Sequence, residues 1–478
     1  MSNFIDRLKD QLNSPTGVVK DISQIADQVI NRRRADTLPT GHSLDTQAAG
    51  RVTLPAGYTL SQEAAAAFDA LQNNLPLVFL TGRAGTGKST FIEYLKAKLG
   101  RNSITLAPTG IAALNIGGQT VHSFFKFPPR LFNNDEIKER HDTLIEQLQL
   151  IVLDEVSMIR ADLLDHMDFA LRKWRKRNEP FGGVQMLLVG DLLQLPPVVA
   201  GTTERALFEQ QYSSPWFFNA EVFRELPVFA VELTEVHRQT DANFVHILNQ
   251  IRTNKNHREG VARINRTCYR DRSARESALT LTATNRQADT LNLHRLDNIN
   301  SVPRTYLGTT QGRFSREEQR LPAPMELTLK LGAQIMVTKN IDGAVNGTLG
   351  TVVSMSEHTI QIQALDGESQ FTVGKELWEQ YAYEWDPLYQ RIVAKVIGTY
   401  QQLPVTLGWA VTIHKCQGLT MTSATIDLGR GAFAPGQTYV ALSRCRSLDA
   451  ITLARPISMK DVAADTDVLQ FYAALFDC

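Results

Sequence analysis

Gly82-Arg83-Ala84-Gly85-Thr86-Gly87-Lys88-Ser89-Thr90 follows the apolar run Leu77-Val78-Phe79-Leu80 and precedes Phe91, Ile92, Tyr94 and Leu95. The order is strand, glycine-rich turn, helix, with the GxxxxGK[S/T] spacing of a phosphate-binding loop. Glycines at 82, 85 and 87 let successive backbone N–H groups curl around a di- or triphosphate with no Cβ in the way. The helix that starts there points its positive end at the same anion. Residues Gly82, Ala84, Gly85, Thr86, Gly87, Lys88, Ser89 and Thr90 are therefore candidate nucleotide contacts. Lys88 reaches for the outer phosphates, and Ser89 offers a hydroxyl to Mg²⁺.

Other apolar runs end in polar residues that a parallel sheet would carry to the same edge. Leu150-Ile151-Val152-Leu153 ends in Asp154 and Glu155, which suit a Mg²⁺ ligand and the group that orients or deprotonates an attacking water. The run before Gly190-Asp191-Leu192-Leu193-Gln194 places Gln194 as a candidate γ-phosphate contact. Arg238 and Arg444 are candidate cations for transition-state charge, supplied by a planar fork.

Strand-like runs at 78–81, 104–107, 150–153, 185–189 and 228–233 alternate with helical patterns, and a second series follows at 279–283, 425–428 and 450–453. The 478 residues accommodate two such α/β units. Residues 308–402 alternate with period two around Gly, Asn and Asp turns, the pattern of a small antiparallel barrel inserted in the second unit. A shorter polar insert covers 118–144. Ahead of the first unit, Phe4, Ile5, Leu8 and Leu12, then Val18, Ile22, Ile25 and Val29, fall at helical spacing, and a Pro/Gly-rich linker runs on to residue 57.

Read in order, GRAGTGKST (82–90), LAPTGIAALNIGGQTVHSFF (106–125), LDEVSM (153–158), GDLLQLPPV (190–198), ELTEVHRQ (232–239), VTIHKCQGLT (411–420) and TYVALSRCRS (438–447) resemble a superfamily-one helicase of the five-prime-to-three-prime branch. The motifs are similar to those of the Pif-one family within it, relatives of the RecD and Dda helicases, over residues 58–455. The resemblance implies an α/β fold of two tandem RecA-like parallel-sheet domains, 58–229 and 230–307 with 403–478. The 118–144 insert would be a wedge, and 308–402 an SH3-like β-barrel. It implies ATP and Mg²⁺ as cofactors, Ser89 and Asp154 as the metal residues, and Lys88, Glu155, Gln194, Arg238 and Arg444 as the catalytic set. Gln62 lies at the adenine-reading position, and Gln417 and Gly418 where a DNA-binding motif turns toward the nucleotide. Thr109, His122, Thr412, His414 and Lys415 match positions that touch single-stranded DNA. Cys416 stands where relatives commonly carry serine.

The residues support the DNA-binding set independently. Pro108-Thr109-Gly110 and His414-Lys415 each follow an apolar segment, one in each α/β unit, where hydroxyls, a lysine and backbone groups could track a phosphate backbone. Phe124-Phe125 could stack on bases or join the core.

The expected activity is an ATP-dependent helicase acting on single-stranded and on duplex or G-quadruplex DNA, monomeric when unliganded. Its polarity follows from the resemblance alone. A motor subunit of a nuclease or recombination complex, or a non-translocating ATP-dependent switch, stays open. With 50 Lys plus Arg against 50 Asp plus Glu, a nucleic-acid site has to be a local groove rather than a global field. Cys268, Cys416, Cys445 and Cys478 have no CxxC spacing, which suits reduced thiols in a cytoplasmic protein. No apolar run reaches the roughly 20 residues of a membrane span, and the first residues carry neither a signal core nor a transit pattern.

Overall fold

The computed structural model describes residues 54, 58–128, 130–199, 202–236, 241–269, 279–314, 321–365, 367 and 369–476. The helical patterns read over 4–29, and Arg238, lie outside them. Strands β1 (Leu77–Gly82), β2 (Ser103–Ala107), β3 (Gln119–Thr120), β4 (Leu150–Leu153), β5 (Gln185–Val189) and β6 (Val228–Leu233) form one sheet in the order β3-β2-β4-β5-β1-β6. Every pair in it is parallel.

Unbroken apolar runs mark strands that are covered on both faces. In β1, Leu77 and Phe79 enter one core, with Ile151, Leu153, Met186, Leu188 and the helix Ala161–Arg175. Val78 and Leu80 enter a second core on the opposite face, with Leu150, Val152, Leu187, Val189 and the helix Lys88–Lys98. That helix buries Phe91, Ile92 and Leu95, one stripe at helical spacing, while Lys96 and Lys98 complement the dipole of its last turn. Phe124 and Phe125 are buried in the first core, so the pair serves packing rather than base stacking.

The second parallel sheet uses β7 (Leu279–Thr282), β18 (Ala410–Thr412), β19 (Ala424–Asp427) and β20 (Ile451–Leu453) in the order β18-β7-β19-β20. Helices Ala242–Thr253, His257–Cys268 and Gln437–Leu442 complete its core.

Between β7 and β18 runs an antiparallel insert. It begins with β8 (Arg304–Leu307), β9 (Thr309–Gly312) and β10 (Glu326–Leu329). A five-stranded sheet then uses β11 (Gln334–Val337), β12 (Leu349–Met355), β13 (Thr359–Ala364), β14 (Gln370–Gly374) and β17 (Val405–Leu407), in the order β14-β13-β12-β11-β17. Because β17 pairs with β11, this sheet continues past residue 402, where the sequence pattern ends.

A long hairpin, β15 (Glu376–Asp386) with β16 (Arg391–Gln402), reaches from the insert to the first domain. Tyr383 Oη donates to the Thr105 carbonyl at 3.1 Å and accepts the Thr105 N–H at 3.0 Å. The Ile392 N–H donates to Asn102 Oδ1 at 3.1 Å. On its outer side β2 pairs with β3 only at Leu106 and Ala107, and the hairpin covers the backbone edge left at Thr105.

The helix Thr466–Phe476 departs from the boundary expected from sequence. It follows the second sheet in the chain but packs into the first domain's core through Val468 and Phe471. The Phe471 ring stacks on Phe218 with centroids 4.2 Å apart, and Trp216 Nε1 donates to Asp465 at 3.0 Å. Removing a buried aromatic ring costs about 3–5 kcal/mol. Phe471→Ala should therefore lower the unfolding free energy of the first domain by that amount, read as a drop in its urea midpoint, and an unchanged midpoint would contradict this packing.

No helix among the described residues is long and apolar enough to cross a membrane.

Candidate active site and nucleic-acid interface

The β1 strand delivers Gly82 at φ 153°, and Gly85 and Gly87 follow at 83° and 89°. A Cβ on Gly82 would meet Thr86 Oγ1 at 2.6 Å and the Leu233 carbonyl oxygen at 2.7 Å, so the loop closes only with glycine there. Gly87 caps the helix Lys88–Lys98 with no side-chain hydrogen bond and no acid in the first turn, which leaves the helix N-terminus to an anion. Lys88 Nζ donates to the carbonyls of Gly82 (2.7 Å) and Arg83 (3.0 Å), inside the loop it would share with phosphates. Burial lowers its pKa. Gln62 is exposed in the first turn of the helix Gln62–Gln72.

Asp154 and Glu155 leave the end of β4 at the adjoining edge. Glu155 takes a left-handed backbone, φ 50° and ψ 44°, with its N–H on Asp154 Oδ1 at 2.9 Å. Such a conformation in a residue other than glycine costs on the order of 1–3 kcal/mol and marks functional turns. Burial raises the pKa of both acids, and Asp154 adds to the rise at Glu155, which is pushed up to about 7. Ser89 is exposed and Asp154 buried at the same edge, and a hydroxyl with a carboxylate matches the hard-oxygen preference of Mg²⁺.

The linkage sign follows from the raised pKa. The stability linked to Glu155 is fully present below its ordinary value of 4.5 and is lost as pH rises through about 7. Glu155→Gln should therefore raise the denaturant midpoint at about pH 8 and leave it unchanged near pH 4. If Glu155 acts as the base, wild-type kcat/KM should also fall on the acid side with an apparent pKa near 7.

Three second-domain side chains close on this site. Gln417 Nε2 donates to Glu155 Oε2 at 3.1 Å and to Gln194 Oε1 at 3.3 Å. Tyr439 Oη accepts the Ala84 N–H of the phosphate loop at 3.3 Å. Arg252 pairs with Asp191 Oδ1 at 3.0 Å. Arg444 lies just past the helix Gln437–Leu442 and is buried; its guanidinium donates to the carbonyls of Val440 (2.8 Å), Cys416 (3.3 Å) and Leu419 (3.3 Å). Burial lowers its pKa, although the Glu155 charge opposes that shift.

Tyr439 and Arg252 escaped the sequence reading. Tyr439 carries no signal beyond its place in the motif. Arg252 stands four residues after Leu248, on the buried stripe Phe244-Leu248-Ile251, and a cation there is a mark of a buried partner.

The site opens into a cavity of about 1530 Å³. A small-molecule pocket measures about 300–1,000 Å³, so the volume suits a polymer as well as a nucleotide. Ser89, Asp154 and Glu155 line it beside Pro108, Thr109 and His122 of the first domain and His414, Lys415, Gln417 and Gly418 of the second. Tyr381 and Asn346 of the insert form a further wall.

Thr109 also caps the helix Gly110–Asn115 by accepting the Ala112 N–H at 3.2 Å. His414 stacks nearly parallel on Phe433, and burial lowers its pKa. Thr412 is not in the lining. It is 3% exposed and its hydroxyl accepts the Lys415 N–H at 3.4 Å, so it shapes the turn that presents its neighbours. Cys416 also faces inward, fully buried, with burial pushing its thiol up to about 12.

The PIF1-like helicase family model matches residues 59–260, and the model of the DNA helicase Pif1 2B domain matches residues 318–355. Pif1 from Bacteroides sp, solved unliganded, is 34% identical, with a TM-score of 0.79 over 87% of this chain and 97% of that one. The chain belongs to the PIF1-like helicase family. Its match to ATP-dependent DNA helicase PIF1 of Danio rerio is 33% identical over 442 residues, 89% of this chain. The chain spans 65% of that relative's length.

Bacteroides Pif1 in complex with ADP-AlF4 gives a TM-score of 0.80, whereas the same helicase bound to ssDNA gives 0.64, both at 34% identity and the same coverage. With identity and coverage held constant, the drop reflects how parts of the chain are placed. By this measure the arrangement here is more similar to the unliganded and ADP-AlF4 structures than to the ssDNA complex.

Proposed function

We propose that this PIF1-like helicase hydrolyses ATP to move five-prime to three-prime along single-stranded DNA, unwinding duplex and structured DNA. The observation that carries the reading is one cavity in which Ser89 of the phosphate loop and the acids Asp154 and Glu155 meet candidate DNA contacts from both α/β domains. Gln417 ties the two ends together, since it bonds Glu155 and Gln194 and stands three residues from His414.

Lys88, the loop backbone and the helix N-terminus would hold the phosphates; Ser89 and Asp154 would hold Mg²⁺, which supplies charge neutralisation at the phosphoryl oxygens when bound. Glu155, with its raised pKa, is suited to take a proton from water near neutral pH. Gln194 and Gln417 report the state of that site to the turn carrying His414 and Lys415. Arg444 completes the set by supplying positive charge from the second domain, with Arg238 proposed alongside it. Thr109 and His122 grip the strand from the first domain, so a change in domain spacing moves one grip relative to the other.

Monomeric action, G-quadruplexes among the substrates and a reducing, cytoplasmic setting belong to the same proposal. Cys268, Cys416 and Cys445 are buried thiols outside any disulfide, which suits that setting.

The test is strand displacement on partial duplexes with a five-prime or a three-prime tail, with and without ATP. Opening of the five-prime-tailed duplex alone, only with ATP, is expected. DNA-stimulated hydrolysis without displacement would favour a non-translocating switch, and displacement only from a three-prime tail would reverse the polarity. A quadruplex-containing substrate and light scattering on the free protein examine the remaining parts.

A further inference from the structure

The second domain sends into the nucleotide cleft a cation for which the phosphate chemistry has no evident use. Arg252, in the last turn of the helix Ala242–Thr253, is 5% exposed. Its Nη2 lies 3.0 Å from Asp191 Oδ1 and its Nη1 3.7 Å from Glu232 Oε1, both carboxylates of the first domain. The guanidinium also sits 5.6 Å from the centre of the Tyr472 ring, on the helix that packs back onto the first domain.

Asp191 is equally occupied. Its Oδ1 accepts the Leu193 N–H and its Oδ2 accepts the Gln194 side-chain amide, each at 3.2 Å. Burial pulls its pKa upward, but Arg252 and then Lys88 outweigh that and hold the carboxyl below its ordinary value. From Gln194 the path returns to the second domain through Gln417 at 3.3 Å. The contacts thus cross the domain boundary at Arg252–Asp191, at Tyr439, whose hydroxyl donates to Asp191 Oδ2 at 3.5 Å, and at Gln194–Gln417.

An ion pair this buried is weak evidence for stability, because apolar residues of similar volume often do as well. What a bidentate-capable fork adds is a defined geometry between the bodies it joins. We propose that Arg252 is a positioning residue that pins the Asp191–Gln194 turn to the second domain, so that phosphate contact at Gln194 displaces the His414–Gly418 turn. This rests on the helicase reading above. Arg252 touches neither nucleotide nor DNA in this role; it acts through Asp191 and Gln194.

The experiment compares the Kd for a fluorescent single-stranded oligonucleotide, without nucleotide and with ADP-AlF4, in wild type, Arg252→Lys and Asp191→Asn. The ratio of the two Kd values measures the coupling between sites. Arg252→Lys keeps the charge and loses the fork. It is expected to bring the ratio about fivefold or more closer to one, with the nucleotide-free Kd within about twofold of wild type. A ratio equal to wild type would overturn the proposal, as would a loss of DNA binding that is the same with and without nucleotide, the mark of a purely structural role. If Arg252→Lys fails to fold, Asp191→Asn, which keeps the shape of the side chain, carries the same expectations. A wild-type ratio of one would instead remove the helicase reading on which the proposal stands.

Discussion

Lys88→Ala should remove DNA-stimulated ATP hydrolysis, with a fall in kcat of about a hundred- to a thousandfold or more, the scale set by deleting one preorganised charge-stabilising donor. The local chemistry explains the size. Lys88 Nζ is held by two loop carbonyls, and the charges of Asp191, Glu155 and Asp154 support its protonation against burial. Alanine removes the cation those acids share, so the triphosphate would meet a cluster that repels it. A melting curve on the same preparation separates this loss from unfolding. Normal turnover in a folded Lys88→Ala variant would contradict the phosphate-loop assignment altogether.

Gly436→Ala should have the second large effect, through the contact between the domains. Gly436 has φ +75°, and a Cβ on it would lie 2.1 Å from the Gln194 carbonyl oxygen and 2.6 Å from that of Leu193. The left-handed backbone alone costs an alanine about 1–2 kcal/mol. The clash adds an overpacking cost of about 1–3 kcal/mol. The two parts have different outlets. Backbone strain stays within the second domain whatever the cleft does, whereas the clash is relieved when the domains separate.

Gly436→Ala is therefore expected to lose a modest amount of stability to urea but to lower DNA-stimulated ATPase about ten- to a hundredfold, since each 1.4 kcal/mol on a barrier is about tenfold in rate. Full activity with an unchanged midpoint would mean that this contact is absent from the working enzyme.

The parts of the site legible in sequence are those made by contiguous residues. The β1 run, the glycine spacing and Lys88 define a loop without reference to anything distant. Asp154 and Glu155 declare themselves by ending an apolar strand. The closing contacts offer no such local signal. Arg252 meets Asp191 across 61 residues, and Tyr439 meets Ala84 across 355.

Short motifs also hide which way a side chain turns. Thr412 sits in a motif expected from sequence to touch DNA yet faces the core, and Phe124-Phe125 resembles a stacking pair yet fills one. The helix Thr466–Phe476 has an amphipathic pattern that marks a buried face but not the body that buries it. The hole that receives Phe471 is built by Phe217, Phe218 and Phe223, more than 240 residues earlier in the chain.

That return of the chain has a consequence for synthesis. Domains generally fold as the ribosome releases them, N-terminal part first. Here the first domain emerges with an aromatic socket at Phe217 and Phe218 whose plug, Phe471, is translated only after the entire second domain. Through that interval the nascent chain carries exposed rings that invite chaperone capture, and products terminated before the helix Thr466–Phe476 retain them permanently.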